Sequence, residues 1–356
     1  MSKLPTIGVL FGDPSGIGPE LIAKLLSDPA ACEAGNLLLI GDRNVLKRGE
    51  AVARKTLKLN VVDSIATATF IPGQPSFLPL SMIADAEIEP GKVTAASGNY
   101  AFSLLGKAAA AAKAGELDGI LFAPLNKAAM RLGGLVHEDE QRYLQEVFEV
   151  RHFVCEFNVT GRLWTSRVTS HIPLRAVADS ITHDGVCDAV TIIDRSLKAA
   201  GIVCPRIGVA ALNPHAGDSG TIGREEIEII APAVETMKAR GVDVRGPLPS
   251  DTVFIAARKS AFDAVVSMYH DQGQIAMKLM GFEHGVTVLG GLPVPVTTCA
   301  SGTAFDIVGQ GIANVEGLKQ ALVINKRIAA SNLSTERARS GMTQRMGGDL
   351  SEGATK

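Results

Sequence analysis

Ala264-Val265-Val266-Ser267-Met268-Tyr269-His270-Asp271-Gln272-Gly273-Gln274-Ile275-Ala276-Met277-Lys278 is the stretch from which the fold can be read. Its first five residues are apolar except Ser267 and read as a buried strand. Open α/β sheets hold their chemistry at the C-terminal ends of such strands. This strand delivers His270 and Asp271 there, with Gly273 expected to break it and Lys278 following. A histidine, a carboxylate and a lysine in so short a space suggest a site.

The same alternation runs through the chain. Thr6 to Phe11 reads as a strand and enters the turn Gly12-Asp13-Pro14-Ser15-Gly16-Ile17-Gly18-Pro19-Glu20, with Pro19 suited to the first helical position before Leu21 to Leu26. Leu37 to Asp42, Gly119 to Pro124, Leu163 to Thr169 and Arg206 to Leu212 read as further strands. Ser97 to Ala114, Glu138 to Val150, Asp184 to Ala200, Glu225 to Arg240 and Val315 to Ser331 read as helices, with Gly241 as a C-cap signal. Asn60 to Glu89 reads as irregular with short strand-like pieces such as Val61-Val62, Gly285 to Ala313 as a loop-built binding surface, and the tail from Thr335 as loose. Strands alternating with helices imply a mostly parallel sheet with helices on both faces.

Three histidines share one setting. His171, His215 and His270 each follow a strand, and parallel strands of one sheet share a C-terminal edge. Three imidazoles suit a divalent transition metal with positions left open for substrate. Each alone also fits an ordinary loop or cap histidine; the triplet favours a site. Asp251 reads either as a helix N-cap or as a carboxylate near the metal. Asp271 reads as the group that orients His270, and Lys278 as a donor to an anionic substrate or a solvated lysine. The Gly12–Gly18 turn has neither the GxGxxG spacing nor the Gly-Lys of a P-loop.

Composition narrows the classes. The 356 residues suit two domains or one large α/β unit; 46% are hydrophobic and only 4% aromatic. A net charge of −2 without a basic block argues against nucleic acid or an anionic membrane surface as partner. Five scattered cysteines argue against a disulfide framework, and no signal peptide or membrane-length apolar run is visible. The expectation is a cytoplasmic protein.

The ordered motifs resemble those of the 4-hydroxythreonine-4-phosphate dehydrogenase family. They are the Gly12–Glu20 turn, Ala123-Pro124-Leu125-Asn126-Lys127, Ser170-His171-Ile172-Pro173-Leu174, Leu212-Asn213-Pro214-His215-Ala216-Gly217, Gly246 to Thr252, Met268 to Gly273, Lys278, and Ser301 to Gly309. The resemblance implies a two-domain α/β/α fold of the isocitrate/isopropylmalate dehydrogenase type, with the site in the cleft between residues 1–128 plus 303–356 and residues 129–302. It implies a homodimer in which His171 and His215 bind a divalent metal (zinc, or cobalt, manganese, magnesium or nickel) with His270 of a second subunit. It implies Lys278 on an anionic substrate and NAD on Gly302, Thr303, Ala304, Asp306 and Asn314. Such enzymes oxidise a secondary alcohol to a ketone, after which a β-carboxylate leaves as carbon dioxide.

Several positions depart from the family pattern. Its Gly-His-Thr-Glu motif aligns with Asp139-Glu140-Gln141-Arg142, its Asn with Thr287, and its phosphate-binding Arg with Val296. Ser301 stands where the wider fold has His. Exchanging Arg for Val removes a bidentate charge-assisted donor. A changed substrate is therefore expected at Glu140, Gln141 and Thr287, with a dihydrodiol carboxylate dehydrogenase, or a non-catalytic ligand-binding relative, as alternatives.

Overall fold

The computed structural model describes residues 3–281 and 284–348, with side chains through residue 338. Twelve strands form one continuous sheet: β1 (Thr6–Leu10), β2 (Asn36–Asp42), β3 (Asn60–Val61), β4 (Ser76–Leu80), β5 (Gly119–Phe122), β6 (Cys155–Thr160), β7 (Leu163–Arg167), β8 (Ile207–Ala210), β9 (Val244–Leu248), β10 (Ala264–Ser267), β11 (Val286–Gly290) and β12 (Val296–Cys299). Their order is β3-β4-β2-β1-β5-β12-β11-β6-β7-β10-β8-β9. The first six strands pair in parallel, as do β7-β10-β8-β9; antiparallel pairings through β11 and β6 join the two sets.

The helices are α1 (Gly18–Leu26), α2 (Arg43–Ala53), α3 (Ala95–Lys113), α4 (Lys127–Leu132), α5 (Glu140–Val147), α6 (Val177–Ser180), α7 (His183–Ala199), α8 (Ala231–Ala239), α9 (Ser250–Arg258), α10 (His270–Leu279) and α11 (Glu316–Gly348). The α/β architecture with a large, mostly parallel sheet is the one expected. Central parallel strands such as β1, β8 and β10 are buried over their whole length, which is why they read as largely apolar runs. None of the described helices is long and apolar enough to cross a membrane.

Several local readings change. β10 ends at Ser267, and Gly273 lies inside α10 instead of breaking a strand. Pro19 occupies the second position of α1, since Gly18 opens the helix. The segment expected as irregular contains β4, and the one expected as a loop surface contains β11 and β12, with Val296 fully buried and Thr287 nearly so. Their threonines are β-branched, so they fit the pleated sheet despite their polarity. A π-helical turn at Glu226–Ile230 precedes α8 where one helix was expected. Helix α11 runs on through the residues expected to be loose up to Gly348, and 349–356 lie outside the described residues. The expected domain division at 128/129 falls within α4, and the sheet is continuous across both parts.

Candidate active site

Strands β7, β10 and β8 are neighbours, so the segments carrying His171, His270 and His215 leave one edge side by side. Side chains lock these ends together. Thr169 donates through its Oγ1 to the Met268 carbonyl (2.8 Å). Gln272 accepts from the Met268 amide (2.7 Å) and donates to the Ala211 carbonyl (2.8 Å), joining the end of β10 to that of β8. Sequence reading missed Gln272, whose partners are backbone groups.

The His171 and His270 rings of a single chain lie 5.6 Å apart. Each has one nitrogen engaged by a carboxylate. His171 Nδ1 is 2.9 Å from Glu138 Oε1 and 3.7 Å from Asp139 Oδ2; His270 Nδ1 is 2.7 Å from Asp271 Oδ1. A carboxylate on Nδ1 fixes the ring and leaves Nε2 with its lone pair, the arrangement found at histidine–metal centres. The donor set therefore fits a divalent cation. Among the described residues, the group of three potential ligands whose atoms all lie within 4.8 Å of one another is Glu138, Asp139 and His171. The three histidines do not gather that closely within one chain. Sequence reading passed over Glu138, which no spacing rule links to His171.

His215 is exposed on an unusual turn. His215, Ala216, Gly217, Asp218 and Ser219 all have left-handed backbone angles. For residues with a Cβ this conformation costs roughly 1–2 kcal/mol each, so the surroundings must hold it.

The amino-terminal end of helix α5 comes up to His171, with Asp139 3.7 Å from the ring nitrogen. Asp139 caps the helix, accepting from the Arg142 amide (2.9 Å). Glu140, its first residue, lies 3.8 Å from Lys127, which follows β5. Burial pushes the Glu140 carboxyl above the usual range, and the Lys127 ammonium pulls it back. Buried Gln141 donates to the Gly290 carbonyl at the end of β11 (3.3 Å). Arg142 is exposed and bonds to Gln145.

The other candidates stand apart. Lys278 is exposed eight residues beyond His270 on α10, roughly 12 Å along the helix axis. Asp251 is the second residue of α9 and exposed; Pro249, not Asp251, occupies the cap position. Thr287 is buried in β11 opposite Asn158 and Thr298.

The Gly302–Asn314 segment packs on the Gly12–Gly18 turn. Ile17 donates to the Thr303 carbonyl (3.1 Å), and a Cβ on Gly16 would lie 2.9 Å from that of Thr303. Ala304 is left-handed, exposed Asp306 lies in a short 3-10 turn, and Asn314 accepts from the Glu316 amide at the start of α11. Buried Glu20 on α1 accepts from the Ala313 amide (2.9 Å) and pairs with Lys24 (2.7 Å), which donates to the Gly311 and Ala313 carbonyls. Beside this segment is a cavity of about 220 Å³, lined in part by Pro14, Ile17, Val52, Pro90 and Val308. An apolar slot beside a clamped glycine-rich segment fits the ring of a dinucleotide.

Residues 33–325 match the family model of the pyridoxal phosphate biosynthetic protein PdxA. The chain belongs to the PdxA family. It is 44% identical over 328 residues to a putative 4-hydroxythreonine-4-phosphate dehydrogenase 2 of Pseudomonas aeruginosa, spanning 92% of this chain and 97% of that one. It is 38% identical to a D-threonate 4-phosphate dehydrogenase of Pectobacterium atrosepticum, over 92% of this chain and all of that one. The crystal structure of a 4-hydroxythreonine-4-phosphate dehydrogenase from Klebsiella pneumoniae superposes with a TM-score of 0.79 at 36% identity, covering 92% of this chain and 99% of the other. Membership in this PdxA family of dehydrogenases makes the chain an oxidoreductase.

Proposed function

We propose that this PdxA-family protein is an NAD-dependent, divalent-metal-dependent dehydrogenase. It oxidises a secondary alcohol of a small phosphorylated hydroxy acid related to 4-hydroxythreonine 4-phosphate or threonate 4-phosphate, with decarboxylation following. The observation that carries this reading is the His171–His270 pair, each ring oriented by a carboxylate, on the strand edge that also bears His215.

Bound metal would supply Lewis-acid polarisation of the alcohol oxygen, and NAD the hydride acceptor. The chain's residues do the rest. Glu138 and Asp271 hold the imidazoles with Nε2 free. Glu140 and Lys127 line the approach from β5, and Gln141 fixes α5 against Gly290. The Gly302–Asn314 segment, clamped by Glu20 and Lys24, holds the adenosine part of NAD, with Thr303, Ala304, Asp306 and Asn314 along it. Lys278 donates to the anionic end of a substrate.

The reading includes a homodimer with the metal site shared across the interface, and the substrate in the cleft between the two parallel sets. Two observations support it. The three histidines do not close around one point within a single chain. Large apolar residues close in sequence to the histidines are also exposed: Leu174, three residues after His171, and Ile275 and Leu279 on α10, the helix that His270 opens.

The test is His215→Ala. Metal binding and NADH production should be lost together, with the melting temperature little changed because His215 is exposed. Full activity in a variant that holds no metal would sink the mechanism. A substrate panel decides the rest: turnover of cyclic cis-diol carboxylates, and none of phosphorylated hydroxy acids, would move the assignment to a dihydrodiol carboxylate dehydrogenase. No NAD reduction with either class would leave a ligand-binding relative.

A further inference from the structure

We propose that Glu226 is the positioning residue for His215: it fixes, through the backbone, the turn that presents this imidazole to the metal. The proposal rests on the metal reading above. From His215 to Gly220 six successive φ angles are positive, between 43° and 93°, and four of the six residues carry a Cβ. L-residues keep such a turn only when the surroundings over-determine it.

Beside the turn's own backbone bonds, from Thr221 to the Asp218 carbonyl and from Ile222 to that of Gly217, one side chain reaches both its entry and its centre. Glu226 is 3% exposed. Its Oε1 accepts from the amides of Leu212 (2.9 Å) and Asn213 (2.7 Å), where the chain leaves β8. Its Oε2 accepts from Asn213 Nδ2 (2.9 Å). A Cβ on Gly217 would lie 2.7 Å from that same Oε2, so the carboxylate rests against the middle of the left-handed turn. A single buried carboxylate thus grips the entry to the turn and its centre, with His215 between the two grips.

The neighbouring groups reinforce it. Glu225 takes a further bond from Asn213 Nδ2 (2.6 Å), and Glu226 opens the π-helical turn Glu226–Ile230. Such widened turns recur beside functional sites, because the extra residue re-aims the side chains around it. The side-chain hydrogen bonds of Glu226 all go to residues 212 and 213, shortly before His215. Its removal should therefore act on the turn and not on the fold at large.

The experiment compares the full-length protein with Glu226→Gln, which keeps the shape but sets an amide donor against Asn213 Nδ2. Asn213→Ala is the milder second variant; it takes away the side-chain donor and leaves Glu226 its two backbone partners. Hydrogen exchange is followed in peptides spanning residues 211–222, and Co2+ or Zn2+ affinity is measured by titration calorimetry on metal-free protein. In both variants the 211–222 amides should exchange faster, with other segments unchanged. Metal affinity should fall roughly 10- to 100-fold, as it does when outer partners of a metal ligand are removed. KM for NAD should stay near the wild-type value while kcat falls.

Unchanged exchange over 211–222 in both variants would overturn the proposal, whatever the metal does. So would faster exchange with wild-type metal affinity. Wild-type protein that binds neither metal would instead overturn the metal reading of the three histidines, and with it the ligand role assigned to this turn. The two failures are told apart by the wild-type titration.

Discussion

Asp13 keeps its carboxyl almost entirely out of water, at 1% exposure, where the Gly12–Gly18 turn meets the end of β5. Burial raises its pKa from 3.8 to about 6, and the Ser15 amide that bonds Oδ1 offsets this only in part. The folded protein therefore binds this proton more tightly than the unfolded chain does. The stabilising contribution of the neutral form is complete below pH 3.8 and is lost as the pH rises through about 6. Asp13→Asn, which mimics the neutral carboxyl, should be the more stable protein at pH 7. Its advantage should shrink on acidification to pH 4, the change amounting to at most about 3 kcal/mol. Thermal melts of both proteins across this range test it; parallel curves would contradict it. Nothing in the sequence separates this aspartate from a surface turn residue, because burial of a carboxyl is decided by segments distant in the chain. The same holds for Glu226, whose partners are backbone amides. The histidines were legible because each follows a stretch that reads as a strand.

Helix α1 works as a clamp. Its buried face carries Glu20, and one turn later Lys24; together they hold the amide and carbonyls of residues 311–313. Glu20→Ala removes the acceptor of the Ala313 amide and strands Lys24. Bonds of this charged kind contribute about 1.5–3 kcal/mol, so KM for NAD should rise roughly tenfold or more while metal affinity holds. Initial-rate kinetics with varied NAD, beside metal titration, check this; equal loss in both would show general unfolding instead. Strands with unbroken aliphatic runs, such as β1, β2 and β10, could be read directly from the sequence. β4, β6, β11 and β12 could not. β4 contains Pro79, and the others carry Asn158, Thr287, Thr297 or Thr298 at buried positions. Thr297, for one, is answered by the Ala321 carbonyl and the Asn325 side chain of α11, partners far along the chain and invisible until the fold is known. α10 was misread for the opposite reason: Gly273 fits inside a helix here because it packs against Ser267.

For the assembled protein, the exposed row Ile275 and Leu279 on α10, with Leu174 near His171, is the face on which the proposed second copy sits. Leu279→Glu would place a charge on a residue that is 84% exposed in the single chain, so the fold itself should not suffer. The expected outcome is a shift from dimer to monomer in sedimentation velocity, with loss of metal binding if the site is shared. A variant that stays dimeric would place the interface elsewhere.

The pairing of β5 with β12 bears on how the chain is made. β5 is complete by residue 122, yet the strand that covers its open side arrives only at residues 296–299. The Asn325 side chain of α11 then bonds the carbonyls of Ile120 and Pro295 and the hydroxyl of Thr297, stapling the two strands. During synthesis the amino-terminal third must therefore wait with an unpaired edge until the strand at residues 296–299 leaves the ribosome. That interval, more than any feature of the finished molecule, is when this protein is exposed to mispairing with its neighbours.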